Sequence, residues 1–380
     1  MTPWCVVKGR TSEKRRTPAW GRVLLVAVVA LLVAGTGMVL IPRDSGTPPP
    51  VSFSEAALTD ASKETVGLLE SAQALSAADG QGAKIPGLGD LVTLLTTHTR
   101  ALMVPEDATG AVSTHPTPPA TPATNTTSAT PATRASLLEE LAVSGRKRLA
   151  AAREADGGIA RLLASVGTAQ LLRAETLAAQ WQLPLPGDPS AGTKAPLPST
   201  VPAATPTAAA CPSVSPTPEP SSATTDAALA AAVRSQQEAV YAYQVALKRL
   251  DNSAGTAAAR DLEVHVLLLR QAEALTRANC GDVPVSTAGY QLPDLFAKDP
   301  AAALAALETS SLPGLGDLVA LSTGETRGWA VDALLAATRR SLAWGAALPA
   351  LPGLKLDAEG LPPLPAAGAA SPPATPSAGR

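Results

Sequence analysis

The sequence predicts an all-α protein with one N-terminal transmembrane helix, an N-terminal helical block and a C-terminal four-helix bundle, joined by linkers rich in Pro, Thr and Ala. Three observations carry that expectation. The run Val23–Ile41 contains no charged residue. Blocks rich in Ala, Leu, Glu, Arg and Gln, all strong helix formers, alternate with Pro-rich stretches. Aromatic residues make up only 3% of the 380-residue chain, which argues against an aromatic-rich sandwich or barrel.

Residues 1–21 are expected as a cytoplasmic tail, with Lys8, Arg10, Lys14, Arg15 and Arg16 opposed only by Glu13. Residues 22–41 are long and apolar enough to span a bilayer as a helix. The positive-inside rule keeps the N-terminus in the cytoplasm and exports the rest. This gives a single-pass protein of the cell membrane. The alternative is secretion after signal-peptide cleavage, although the apolar run exceeds the usual core of about 7–15 residues. The membrane is thus one expected partner, through residues 22–41, and an unknown envelope protein the other. A net charge of −2 gives no global basic field, so nucleic acid is not an expected partner.

The N-terminal helical block covers residues 51–103 and 134–183, interrupted by a linker at 104–133. Its expected helices are Ser54–Ala78, Asp90–Met103, Ala135–Ala155 and Gly158–Trp181. A disordered linker follows at 184–225. The second block spans 226–350, with helices Asp226–Leu250, Ala257–Ala278, Pro300–Thr309 and Asp317–Trp344. Residues 351–380 are expected as a disordered tail. The linkers and tail carry too little apolar surface to offset the cost of ordering the chain.

One stretch recurs. Pro86–Arg100 and Pro313–Arg327 are identical at eleven of fifteen positions, and the two blocks are candidates for a shared origin. Pro-Gly-Leu-Gly reads as a helix breaker, with Asp90 and Asp317 suited to cap the helix that follows. It is not a phosphate loop, because it lacks GKS/T and no strand precedes it.

In the second block, Leu229, Val233, Val240, Tyr243 and Leu247 share a helix face that also contains Gln236. In the next helix Val264, His265, Leu268, Ala272 and Leu275 share one. The stretches LAAAVRSQQEAVYAYQVALKRL and AGYQLPDLFAKDPAAALAALE resemble an uncharacterised ferritin-like domain family of exported proteins from high-GC Gram-positive bacteria, over about residues 225–348. The resemblance implies a ferritin-like four-helix fold and no established activity. Gln236 and Gln237 stand where relatives commonly carry Glu-His.

A di-iron centre in such a bundle needs one Glu from each of two helices and Glu-x-x-His from each of the other two. This block has one histidine, His265, and no Glu-x-x-His. The expectation is therefore no catalytic residue, no cofactor and no resident metal. Asp261, His265 and Glu308 are the residues that a single atypical metal site would use, giving a metal-binding or redox protein as the alternative function. The plain expectation for His265 is a core histidine bonded to Asp261, one turn earlier. Cys211 and Cys280 flank the first two bundle helices, and their ends meet in an antiparallel hairpin. A disulfide between them is expected outside the cytoplasm, the alternative being two free thiols.

Overall fold

Nine helices account for the regular structure of the described residues, with no strand among them. The structure is a computed structural model, and it describes residues 51–79, 85–103, 133–185, 223–355 and 359–364. The expected transmembrane helix at 22–41 lies outside them. Among the described residues, no helix is long and apolar enough to cross a membrane. The linkers at 104–132 and 186–222, with Cys211, also lie outside. Cys280 is disulfide-bonded.

The first four helices are α1 (Phe53–Asp79), α2 (Leu88–Leu102), α3 (Arg134–Ala152) and α4 (Gly157–Trp181). At one end of this group, Ser54 at the start of α1 donates to the Asp156 carboxylate at 2.7 Å, just before α4 begins. At the other end, Trp181 Nε1 donates to Pro86 O at 2.9 Å, joining the end of α4 to the start of α2. The directions are therefore up, down, down, up. Thr133 and Ser136 form a reciprocal cap that starts α3, satisfying donors that a helix end leaves free.

The second group repeats this order with α5 (Thr225–Ala246), α6 (Asn252–Ala278), the short α7 (Leu295–Lys298), α8 (Pro300–Leu321) and α9 (Gly324–Ala343). Thr225 at the start of α5 donates to Leu321 O at the end of α8. Asn279 after α6 donates to Thr326 at the start of α9. The long connection from α6 to α8 runs back along α5, where Gln237 holds Pro284 O at 3.0 Å. One core cluster joins the groups, packing Leu163 and Val166 of α4 with Leu229, Leu268, Leu315 and Leu334.

The two copies of the repeated sequence adopt different local structures. In the first, Gly87 sits at φ 75 and α2 starts at Leu88, close to the expected break. In the second, Pro313 lies inside α8, so the expected separate segments Pro300–Thr309 and Asp317–Trp344 are replaced by α8 and α9. An internal proline costs about 3 kcal/mol or more. Leu312, Leu315, Leu318 and Val319 are all buried at helical spacing around it, and that packing keeps the helix continuous. Neither aspartate caps a helix. Asp317 pairs with Arg161 at 2.6 Å and Asp90 with Arg173 at 3.7 Å, both arginines lying on α4.

The expected tail from 351 also begins differently. Leu351, Pro352 and Gly353 are buried. Four side chains of the first group hold the carbonyls of this strap. His98 donates to Ala350 O at 2.7 Å, Arg161 to Gly353 O at 2.7 and 2.9 Å, Ser165 to Pro352 O, and Arg100 to Leu361 O and Pro362 O. Each proline of the strap lacks an N–H, so its carbonyl is the only main-chain hydrogen-bonding group it offers.

Candidate functional site: a buried polar cluster beneath a groove

Each of the four long helices of the second group contributes a polar side chain to one interior layer. Tyr243 comes from α5, His265 from α6, Glu308 from α8 and Arg340 from α9. Glu308 is 2% exposed. Its Oε1 accepts from Tyr243 Oη at 2.8 Å, from His265 Nε2 at 2.7 Å and from Arg340 Nε at 3.1 Å. His265 Nδ1 faces Gln236 Oε1 at 2.8 Å, and its ring lies 4.8 Å from that of Tyr243.

The electrostatics follow from these contacts. Burial alone would raise the Glu308 pKa, but the Arg340 and His265 charges override it and hold the carboxyl at about 2. Burial, and then the Glu308 charge, push the Tyr243 hydroxyl far above its ordinary range. Burial opposes the Arg340 charge, yet Glu308 lifts its pKa above the usual value. The carboxylate is thus ionised and charge-compensated, with its three donors all gathered on Oε1. Such a buried group is costly to disrupt.

The three candidate metal residues are brought only partly together. His265 and Glu308 bond directly, which the sequence did not indicate. Asp261 does not bond to His265 as expected. Its Oδ2 accepts from Trp344 Nε1 at 3.1 Å and its Oδ1 from Arg260. The i−4 spacing permitted the local bond, but the acceptors from α5 and α8 capture the ring. Among the described residues, no group of three or more His, Cys, Asp or Glu is placed to hold a metal ion. At Glu308 the Arg340 guanidinium supplies positive charge. Arg340 was not singled out from sequence. The available signal was its position in the stripe Ala333, Ala337, Arg340, Trp344, where an arginine interrupts apolar residues.

The cluster backs onto a groove of about 470 Å³. Its walls are α5, α8 and the connection carrying Val285, Thr287 and Tyr290. Gln236 and Gln237 are both buried, and both line it. Gln237 is engaged at both ends, donating to Pro284 O and accepting from Tyr290 Oη at 3.3 Å. Gln236 spends its carbonyl oxygen on His265, while among the described residues no group accepts from its amide nitrogen.

No curated protein and no solved structure matches the chain. Residues 228–356, the second helical group with the start of the strap, match a family model described as a domain of unknown function (DUF4439).

Proposed function

We propose that the chain is a non-enzymatic envelope protein, tethered to the membrane through residues 22–41, whose exported helical unit serves as a binding or structural module. The observation that carries this reading is the closed state of Glu308. The Glu308 carboxylate meets three donors at Oε1 and is 2% exposed. An acid, base or metal ligand needs a path to a reactant and freedom to change its charge; Glu308 is buried, its Oε1 already meets three donors, and Arg340 holds it as a paired carboxylate. The polar cluster then acts as a buried, specifying network.

The second group as a ferritin-like bundle belongs to the same proposal. The up, down, down, up order of α5, α6, α8 and α9, with one long connection after the second helix, supports it. The tether rests on the uncharged run and the basic residues before it. Protease added to intact cells tests the tether and orientation. Cleavage of a C-terminal epitope, with the protein retained in the membrane fraction, is the expected result. A protected epitope, or release of the whole chain to the medium, contradicts it.

The metal-binding alternative is favoured by one observation, the 2.7 Å contact between His265 and Glu308. Arg340 at the same oxygen opposes it.

A further inference from the structure

We propose that the groove between α5, α8 and the 283–292 connection binds an extended peptide segment, whose main-chain carbonyl takes the free amide nitrogen of Gln236. This rests on the binding-module reading and names the ligand class of its open site.

Gln236 is 4% exposed, and its nitrogen is a donor without an acceptor among the described residues. The nitrogen is not among the fully buried unpaired atoms, so it opens into the groove that Gln236 lines, where a ligand acceptor can replace water. Arg234 and Glu238 stand on the same wall, one helical turn apart. Neither makes an ion pair or hydrogen bond with another described residue. A free cation, a free anion and an amide donor on one wall complement the alternating carbonyls and N–H groups of a peptide. They suit an uncharged polyol less well. Leu315, Ala232, Val285 and the Tyr290 ring supply apolar surface for side chains.

The molecule already holds extended segments in this manner. Gln237, next to Gln236, donates to Pro284 O in the groove wall itself. His98, Arg161 and Ser165 do the same along the strap. In each case a side-chain donor reads a main-chain carbonyl of a proline-containing stretch. Gln236 presents the same donor with its acceptor place open.

Gly314 provides a clean way to test the groove. It lines the groove, and a Cβ added there meets nothing within 4 Å. Gly314→Leu therefore fills the groove without displacing a packed neighbour, in a helix where leucine is favoured over glycine. The probe is a fluorescein-labelled peptide, Val-Pro-Ala-Ala-Thr-Pro-Thr-Ala-Ala-Ala, titrated against the full chain in detergent and read by polarisation. The expected result is saturable binding that weakens by roughly tenfold or more in Gly314→Leu, about the loss of one or two good contacts. The thermal midpoint of the variant checks that it is folded. Absence of binding, or binding indifferent to Gly314→Leu, overturns the proposal. Displacement of the peptide by chitotriose at lower concentration than by unlabelled peptide also overturns it, in favour of a saccharide. These outcomes leave the state of Glu308 untouched, so the non-enzymatic reading stands or falls separately, on metal content.

Discussion

Arg340 Nε lies 3.1 Å from Glu308 Oε1, the same oxygen that receives the His265 ring and the Tyr243 hydroxyl. Removing the arginine leaves a buried carboxylate without its principal counter-charge. Arg340→Met is expected to destabilise the fold by about 3–5 kcal/mol. Arg340→Met combined with Glu308→Gln is expected to recover a large part of that loss, because no charge is then stranded. Urea denaturation of the two single variants and the double variant measures the coupling. Additive losses would mean that the two side chains do not act as a pair.

Glu308 also sets an acid limit. Its carboxyl has an ordinary value of 4.5 and is held at about 2 in the fold. As pH falls, the unfolded chain takes up the proton first. The stabilisation from this group is therefore complete above about pH 4.5 and is lost between 4.5 and 2, on the order of 3 kcal/mol in all. Glu308→Gln is expected to flatten that part of the stability–pH curve, as read by urea midpoints at pH 5 and pH 3.

His98 acts in a higher window. Burial lowers its pKa from 6.5 to about 4, against a smaller opposing effect of its bond to Ala350 O. The unfolded chain again binds the proton first, so this stabilisation is present above about pH 6.5 and falls away towards pH 4. His98→Gln keeps a donor for Ala350 O and cannot titrate there. The wild type is expected to lose more stability than this variant between pH 7 and 4.5. Limited proteolysis should then cut the wild-type strap at pH 4.5 and spare it at pH 7.

Two glycines of α8, two positions apart, should respond oppositely to the same change. A Cβ on Gly316 collides with the backbone carbonyl of Gly353 in the strap, whereas one on Gly314 meets open space. Gly316→Ala is expected to cost about 1–3 kcal/mol through overpacking. Gly314→Ala is expected to stabilise by up to about 1 kcal/mol through helix propensity. Thermal midpoints of the two variants decide the matter, and equal shifts would contradict the placement of the strap.

Cys280 is disulfide-bonded, and Cys211 remains its expected partner. Non-reducing peptide mapping should give a linked fragment containing Cys211 and Cys280. A link from Cys280 to Cys5, or between two chains, would count against that pairing.

Most helices were legible because Ala, Leu and Glu recur at helical spacing, a local property. The exceptions are tertiary. Pro313 reads as a stop, and only the burial of Leu312, Leu315 and Leu318 around it explains why α8 continues. The strap looks like tail sequence, because the donors that fix its carbonyls are His98, Arg100, Arg161 and Ser165, about 185 to 260 positions earlier in the chain. Gln236 was visible as a polar residue inside an apolar face, which correctly marked the interior layer. His265 was assigned to Asp261 by local spacing, whereas its acceptors come from two other helices. Arg340 could have been read from its place in the apolar stripe of α9.

The most direct test of the closed cluster is the metal content of the full chain, purified in mild detergent without chelator and measured by mass spectrometry. The account predicts iron, manganese and zinc well below one equivalent per chain, before and after loading. Near-stoichiometric metal that is lost in His265→Gln or Glu308→Gln would contradict it and make the metal-binding reading the correct one.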